Sequence, residues 1–284
     1  MVGAGVRVEA MAAMAVLGAA SQAPASDAPF VTDALPGRPG LAYLDLLRAV
    51  IPDLAANPAN HDAEGHLTKR LRHIGGHSME GDAPDPVVVN YIEALKIRAG
   101  GKARLLILAD LGPDPDRAQD TALLALYDDS PTPKLLDAVD VATDRDTSFA
   151  EPAKIALSPN DDAVVTYSEH SNSGQSYQGR TLILVRGDRF REIDEVFTLA
   201  DNGCGWRREE APVFSTRPGR PYAEIRATVT ETLKHSHEDC GDETVPRAYT
   251  RTWRGVWRWD FSKADFVNRL KDFDRLDKIN EARF

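Results

Sequence analysis

The sequence has little of several features that would point to a specific class of protein. Only two of its 284 residues are cysteines and 7% are aromatic. No apolar run approaches the roughly 18 residues that a membrane-spanning helix needs, so we expect a soluble protein with no integral membrane segment. Basic residues are outnumbered 34 to 44 by acidic ones, which gives a formal net charge of -10. Because a nucleic-acid binder needs clustered basic residues to neutralise phosphates, this balance argues against a nucleic-acid partner.

The motifs that identify the commonest enzyme and metal-binding classes are also missing. The sequence contains no phosphate-binding loop, no dinucleotide fingerprint and no zinc-protease helix motif. Acidic residues cluster at positions 110–120 and 140–146, but neither cluster has the central glycine and terminal glutamate of an EF-hand. We therefore predict that both acidic clusters are solvated turns.

The N-terminus has the pattern of a signal peptide. Arg7 precedes an alanine-rich apolar stretch at residues 10–20, and Ala23-Pro24-Ala25 provides a cleavage site that would remove residues 1–25. Glu9 is an unusual charge beside such a stretch, and an N-terminus that stays attached is the alternative. Cleavage would place the mature protein in the periplasm or outside the cell.

The two cysteines, Cys204 and Cys240, both lie in glycine-containing loops that flank a long strand candidate. In an oxidising compartment, two cysteines and no third suggest one disulfide bond. Two free thiols in a cytosolic protein are the alternative.

The pattern of apolar residues divides the rest of the chain into two parts. Residues 26–87 contain a short amphipathic helix followed by a long polar segment. From about residue 88, short apolar runs alternate with turn residues, which is typical of antiparallel β structure. A C-terminal amphipathic helix is predicted at 263–282. The predicted fold is mainly β (β-rich α+β), an antiparallel meander or sandwich packed with these two helices, and a small or partial β-propeller is the alternative.

A polar segment between two strand candidates, residues 168–177, is dense in side chains that form hydrogen bonds. Rigid strands often position functional loops, so this segment is a candidate site for a small molecule or a protein partner. The candidate binding residues are His170, Asn172, Ser173, Gln175 and Tyr177. A hydrolase that uses His170 with Ser176 is a further alternative, although the nucleophile-elbow motif is incomplete.

His235 and His237 form the candidate metal site. Residues two apart on a strand point to the same face, so both imidazoles could reach one zinc ion, with a carboxylate or a cysteine as a further ligand. A disulfide between the cysteines would remove the sulfur ligands. We therefore expect no cofactor, and zinc is the alternative.

Five aromatic residues share one parity near the C-terminus, and the predicted C-terminal helix could cover them. They are Tyr249, Trp253, Trp257, Trp259 and Phe261. Such a row is typical of a sheet core under a helix, and a recognition platform is the alternative.

Together these patterns favour an exported binding or structural module over an enzyme. The enzyme alternative is a hydrolase or metal-assisted enzyme that uses His170/Ser176 or His235/His237.

Overall fold

The computed structural model describes residues 28–76, 82–113, 119–236, 240–241 and 244–283. Strands account for 57% of the residues and helices for 6%, which confirms the prediction of a mainly β fold. The first elements are α1 (Tyr43–Leu47), β1 (Ala55–Ala56), β2 (Ala63–Gly65), β3 (Arg72–His73), β4 (Val87–Val89), β5 (Glu93–Ala99), β6 (Lys102–Pro113), β7 (Asp120–Asp128) and β8 (Leu135–Asp140). They are followed by β9 (Ser148–Ser158), β10 (Asp161–Asn172), β11 (Gln175–Arg186), β12 (Arg189–Gly203), β13 (Trp206–Arg217), β14 (Glu224–His235), β15 (Tyr249–Asp260), β16 (Asp265–Asn268) and α2 (Asp272–Glu281).

The described strands form three sheets. The first has the order β1-β2-β4, the second β3-β8-β7-β6-β5, and the third contains β9 to β16 in chain order. Neighbouring strands are antiparallel, except for the parallel pair β3–β8. The third sheet is thus an eight-stranded meander, as one of the predicted architectures requires, and it is not divided into the four-stranded blades of a propeller.

The five-stranded sheet is buried on both faces. Leu105 and Ile107 on β6 pack into one core with α1, whereas Leu106 and Leu108 pack into another with Ile183 of the eight-stranded sheet. Strands buried on both faces have continuous apolar runs instead of alternating ones, which explains the sequence of β6 and β7.

The eight-stranded sheet changes direction between β12 and β13. These strands pair only at their ends, where residues 201–203 face residues 206–208, while β13 and β14 pair along their whole length. The two parts of the sheet share a core that contains Val165, Val229 and the fully buried Trp257. Helix α2 adds Phe273 to this core, with its ring centroid 5.8 Å from that of Trp257.

The predicted C-terminal helix is wrong over its first nine residues, 263–271. The helix begins at Asp272 instead of residue 263, because residues 265–268 pair with β15 as strand β16. Phe266 lies within the predicted helix, but in the structure it is a strand residue opposite Trp259. Phe261 is also not part of the core, since its side chain is 75% exposed in the turn before β16.

The N-terminal part of the chain has more structure than its polar sequence indicates. Strands β1, β2 and β3 lie in the predicted long polar segment, and His73 on β3 is only 1% exposed. The predicted signal peptide, residues 1–25, lies outside the described residues. In the described part of the chain, no helix is long and apolar enough to cross a membrane.

Candidate functional site

The predicted polar loop at residues 168–177 is mostly a tight hairpin. Strands β10 and β11 continue to Asn172 and Gln175, which pair with each other, and only Ser173 and Gly174 form the turn. Both turn residues have positive φ angles, 33° and 93°, as in the two-residue turns that match the twist of antiparallel strands. The segment is polar because the hairpin extends beyond the sheet core, so its side chains need hydrogen-bond partners and not apolar neighbours.

One face of this hairpin tip carries four of the five predicted binding residues. The His170 ring stacks on Tyr177 with 4.6 Å between centroids, and its Nδ1 lies 2.5 Å from Oδ2 of Asp144. Tyr177 donates its hydroxyl proton to Gln175 Oε1 at 2.5 Å, and Gln175 Nε2 donates to the carbonyl of Arg283 at 3.0 Å. These side chains use their polar atoms on one another and on the C-terminal segment, and the arrangement anchors the hairpin.

The opposite face of the hairpin tip carries Ser176. Ser176 pairs with Ser171, whereas His170 pairs with Tyr177. Because successive residues of a strand point to opposite faces, His170 and Ser176 lie on different sides of the sheet. The two side chains therefore do not form the nucleophile–base pair that the hydrolase alternative needs.

A polar cleft of about 340 Å³ lies between the tips of the β10–β11 and β12–β13 hairpins. Serine hydroxyls, two carboxamides, a carboxylate and a guanidinium surround it. Among the predicted binding residues, Gln175 belongs to this lining. The lining residues are Ser171, Gly174, Gln175, Ser176, Ala200, Asp201, Asn202 and Arg207.

The walls of this cleft are fixed to each other. The Asn202 backbone N–H donates to the Gly174 carbonyl at 3.1 Å, which joins the two hairpin tips. Cys204, in the turn after β12, forms a disulfide with Cys240, with 5.6 Å between their Cα atoms. This bond confirms the predicted pairing, and it ties one wall of the cleft to the segment that follows β14.

A buried ion pair lies beside the cleft, which is lined by its acidic member, Asp201. Asp201 and Arg208 face each other across the β12–β13 ladder, and their side chains are 8% and 12% exposed. The Arg208 guanidinium also lies 5.6 Å from the centroid of the Trp206 ring. Asp201 Oδ1 has no hydrogen-bond partner in the described structure, so the carboxylate has unused acceptor capacity beside the cleft.

Among the suggested zinc ligands, the structure describes His235 and the two cysteines. His235 is exposed at the end of β14, with its Nε2 only 2.8 Å from the carbonyl of Pro246. Both cysteines are in the disulfide, so neither offers a thiolate. His237 lies outside the described residues.

The prediction that both acidic clusters are solvated turns is wrong for Asp110 and Asp120, which are half-buried on strands β6 and β7 and form a group of possible metal ligands with Asp146. Asp110, Asp120 and Asp146 come from three separate segments, yet one carboxylate oxygen of each lies within 4.8 Å of the others. Carboxylate oxygens suit a hard cation such as Ca²⁺. Burial and the nearby carboxylates of Asp120, Asp146 and Asp140 raise the pKa of Asp110 to about 6, although the Gly112 N–H opposes this shift. The sequence showed two separate acidic clusters, and only the pairing of strands around β7 brings them together.

Comparison with protein-family models, with curated proteins and with solved structures gives no significant match.

Proposed function

We propose that this chain is an exported binding module that takes a small polyhydroxylated ligand, such as a neutral oligosaccharide, in the cleft between the β10–β11 and β12–β13 hairpins. The observation that carries the proposal is the concave set of Ser171, Ser176 and Asn202 at the joined hairpin tips. Its volume of about 340 Å³ lies in the range of small-molecule sites, roughly 300 to 1,000 Å³.

The chemistry of the lining favours hydroxyl groups as the recognised feature. Serine hydroxyls both donate and accept hydrogen bonds, and the carboxamides of Asn202 and Gln175 provide fixed donors and acceptors. A sugar presents the same mixture of donors and acceptors. An apolar ligand would leave these polar groups unpaired, which costs roughly 1 to 3 kcal/mol for each buried group.

Two features support export as part of this proposal. The Cys204–Cys240 disulfide is of a kind that persists in oxidising compartments such as the periplasm or the cell exterior. The N-terminal sequence pattern points to the same compartments. The disulfide also holds the cleft wall in place, and rigid walls reduce the entropy lost on binding.

Amide NMR titration of the full mature chain tests the binding proposal. We expect maltotriose, cellotriose or xylotriose at about 10 mM, above the millimolar Kd of a weak site, to shift the amide signals of Ser171, Ser176 and Asn202. Ser176→Val should remove these shifts, because it replaces a hydroxyl in the cleft with an apolar group.

Ser215→Val is the matched control, since Ser215 is an exposed serine on β13 that does not line the cleft. This variant should bind like the wild type. The proposal fails if none of the three sugars shifts these signals, if the shifts map elsewhere, or if Ser176→Val binds as the wild type does.

A further inference from the structure

The solvent-facing side of β13, β14 and β15, called the outer face, is a second surface that shares only Arg207 with the lining of the cleft. On β14, the inward residues Ile225, Ala227 and Val229 are at most 1% exposed. The residues between them point outward. Helix α2 packs on the inward side, where Phe273 contacts Gly255 and Trp257. The outer face is open to solvent, and Val213 at its centre is 64% exposed.

Hydroxyl groups form two adjacent rows on the outer face. Thr230 pairs with Thr252, and Thr232 pairs with Thr250, so their side chains are neighbours across the β14–β15 ladder. Thr228 continues the first row along β14. Strand geometry repeats these side chains about every 6.8 Å along each strand and about every 4.8 Å between strands. The face therefore offers a regular set of hydrogen-bonding groups that no other described element covers.

Cations surround the threonine rows. The outer face has six basic residues against three acidic ones, Glu209, Glu224 and Asp260, so its net charge is +3 on a chain of net charge -10. The basic residues are Arg207, Arg217, Arg226, Lys234, Arg254 and Arg258. Such segregation of charge gives this face a positive potential that attracts an anionic partner.

Half of these cations have no carboxylate partner within the described residues. Glu224 accepts from both Arg226 and Arg258, and Arg207 pairs with Glu209 at 2.8 Å. No ion pair involves Arg217, Lys234 or Arg254 among the described residues. Within the part of the chain that the structure describes, an external anion would therefore meet these charges without first breaking an ion pair.

We propose that the outer face binds an acidic polysaccharide, whose carboxylate or sulfate groups would contact the arginines and whose hydroxyls would contact the threonine rows. Guanidinium groups match both anions with paired hydrogen bonds. The outward positions of β13 to β15 carry no aromatic side chain on which nucleobases could stack, which favours a sugar polymer over a single-stranded nucleic acid. This inference does not rest on the proposed function, because the residues changed in its test, Lys234 and Arg254, do not line the hairpin cleft.

The test measures binding of the full mature chain to heparin and to polygalacturonate, with dextran as the uncharged polymer. We expect both acidic polymers to bind at low ionic strength, with affinity that falls as NaCl is raised, and dextran not to bind. The double variant Lys234→Glu/Arg254→Glu brings the net charge of the face from +3 to -1. It should weaken binding at least tenfold.

Lys69→Glu/Lys102→Glu is the matched control, because it changes the total charge equally at exposed positions outside the outer face. It should bind within about twofold of the wild type, and thermal unfolding of both variants checks that they fold. The proposal is overturned if neither acidic polymer binds, if the two double variants lose affinity equally, or if a thymidine oligonucleotide or anionic vesicles bind more tightly than the polysaccharides.

Discussion

Asp110 shows how the fold changes the chemistry of a single residue. Its ordinary pKa is 3.8, and in the folded protein burial together with Asp120, Asp146 and Asp140 raises the pKa to about 6. Between these two values the folded state holds the proton more tightly than the unfolded state. The free energy of unfolding therefore falls as the pH rises from about 4 to about 6. Above pH 6, where Asp110 is ionised in both states, this loss of stability is complete.

Asp110→Asn should stabilise the protein at neutral pH, because the amide cannot ionise beside the other carboxylates. We expect the Tm at pH 7.5 to rise by about 2–4 °C, the change that roughly 1 kcal/mol produces in a domain of this size. We also expect a smaller loss of stability between pH 4 and 7 than in the wild type. Thermal unfolding across this range, with EDTA present to exclude cation binding, checks both outcomes.

Asp274→Asn is the control for this measurement. Asp274 lies on the exposed side of α2, where its hydrogen bond with Lys271 lowers its pKa. Its replacement should not raise the Tm at pH 7.5. An Asp110→Asn variant that is less stable than the wild type at pH 7.5 would show that the carboxylate cluster does not cost stability.

At the scale of elements, helix α2 is attached by its C-terminal end. Arg283 donates to Glu210 Oε1 at 2.9 Å and to Glu231 Oε1 at 2.7 Å, and the side chains of both glutamates are 0% exposed. Burial raises the pKa of Glu231, but hydrogen bonds from Tyr249, Arg283 and Trp253 outweigh it and hold the pKa below its usual value. The contact fixes α2 against β13 and β14.

In the middle of α2, the carboxylate of Asp277 lies near other carboxylates, which repel it. Asp277 faces Asp194 and Glu195 on β12, and burial together with these carboxylates raises the pKa of Asp277 to about 7. The helix is therefore held by Phe273 at one end and by Arg283 at the other, with carboxylate repulsion between them.

Arg283→Ala should destabilise the protein by about 3 kcal/mol or more, because it leaves two buried carboxylates without their guanidinium partner. Urea denaturation gives this free energy of unfolding. Arg269→Ala is the control: its pair with Asp260 is partly exposed, at 43% and 21% for the two side chains, and its loss should cost less than about 1 kcal/mol. Equal losses in the two variants would contradict the role of Arg283 as the anchor of α2.

At the scale of the whole molecule, three cores hold the layers together. The five-stranded sheet lies between the N-terminal elements and the eight-stranded sheet, and the third core lies within the bend of the eight-stranded sheet. The disulfide lies at the hairpin end, where β12 and β13 have few ladder contacts. It strengthens the place where the largest sheet is least paired.

Protein recovered unreduced from its native host should contain no free thiol when it is denatured and titrated. The double variant Cys204→Ser/Cys240→Ser should lose roughly 3 to 4 kcal/mol, the chain-entropy value for a loop of this length. Urea denaturation of the oxidised wild type and the variant measures the difference. Two free thiols in the native protein would contradict both the disulfide and the proposed export.

Much of the strand pattern could be read from local sequence. Val229 and Leu233 alternate with threonines, a pattern typical of a half-buried strand, and they lie on β14. Gly187-Asp188 has the composition of a tight turn and joins β11 to β12. The pairing of Cys204 with Cys240 followed from the absence of any other cysteine. The strand and the turn depend on residues that are close in sequence, and the disulfide depends on the number of cysteines. Both kinds of information can be read from the sequence alone.

Glu231 shows that local sequence patterns do not predict long-range contacts. It occupies an inward position on β14, yet the sequence does not indicate that Arg283, some fifty residues later, neutralises it there. Likewise, residues 263–268 have helical periodicity, but pairing with β15 made the last four of them a strand. The carboxylate cluster at Asp110 and the joined hairpin tips at Gly174 and Asn202 also depend on long-range contacts.

The sequence by itself determined the mainly antiparallel β class, most strand positions and the disulfide, because periodicity, turn chemistry and cysteine number are local or compositional properties. Only the tertiary structure decided which polar side chains meet. It separated His170 from Ser176 because alternate strand residues point to opposite faces. It also assembled the hairpin cleft and the outer face, since strand register places residues distant in sequence side by side.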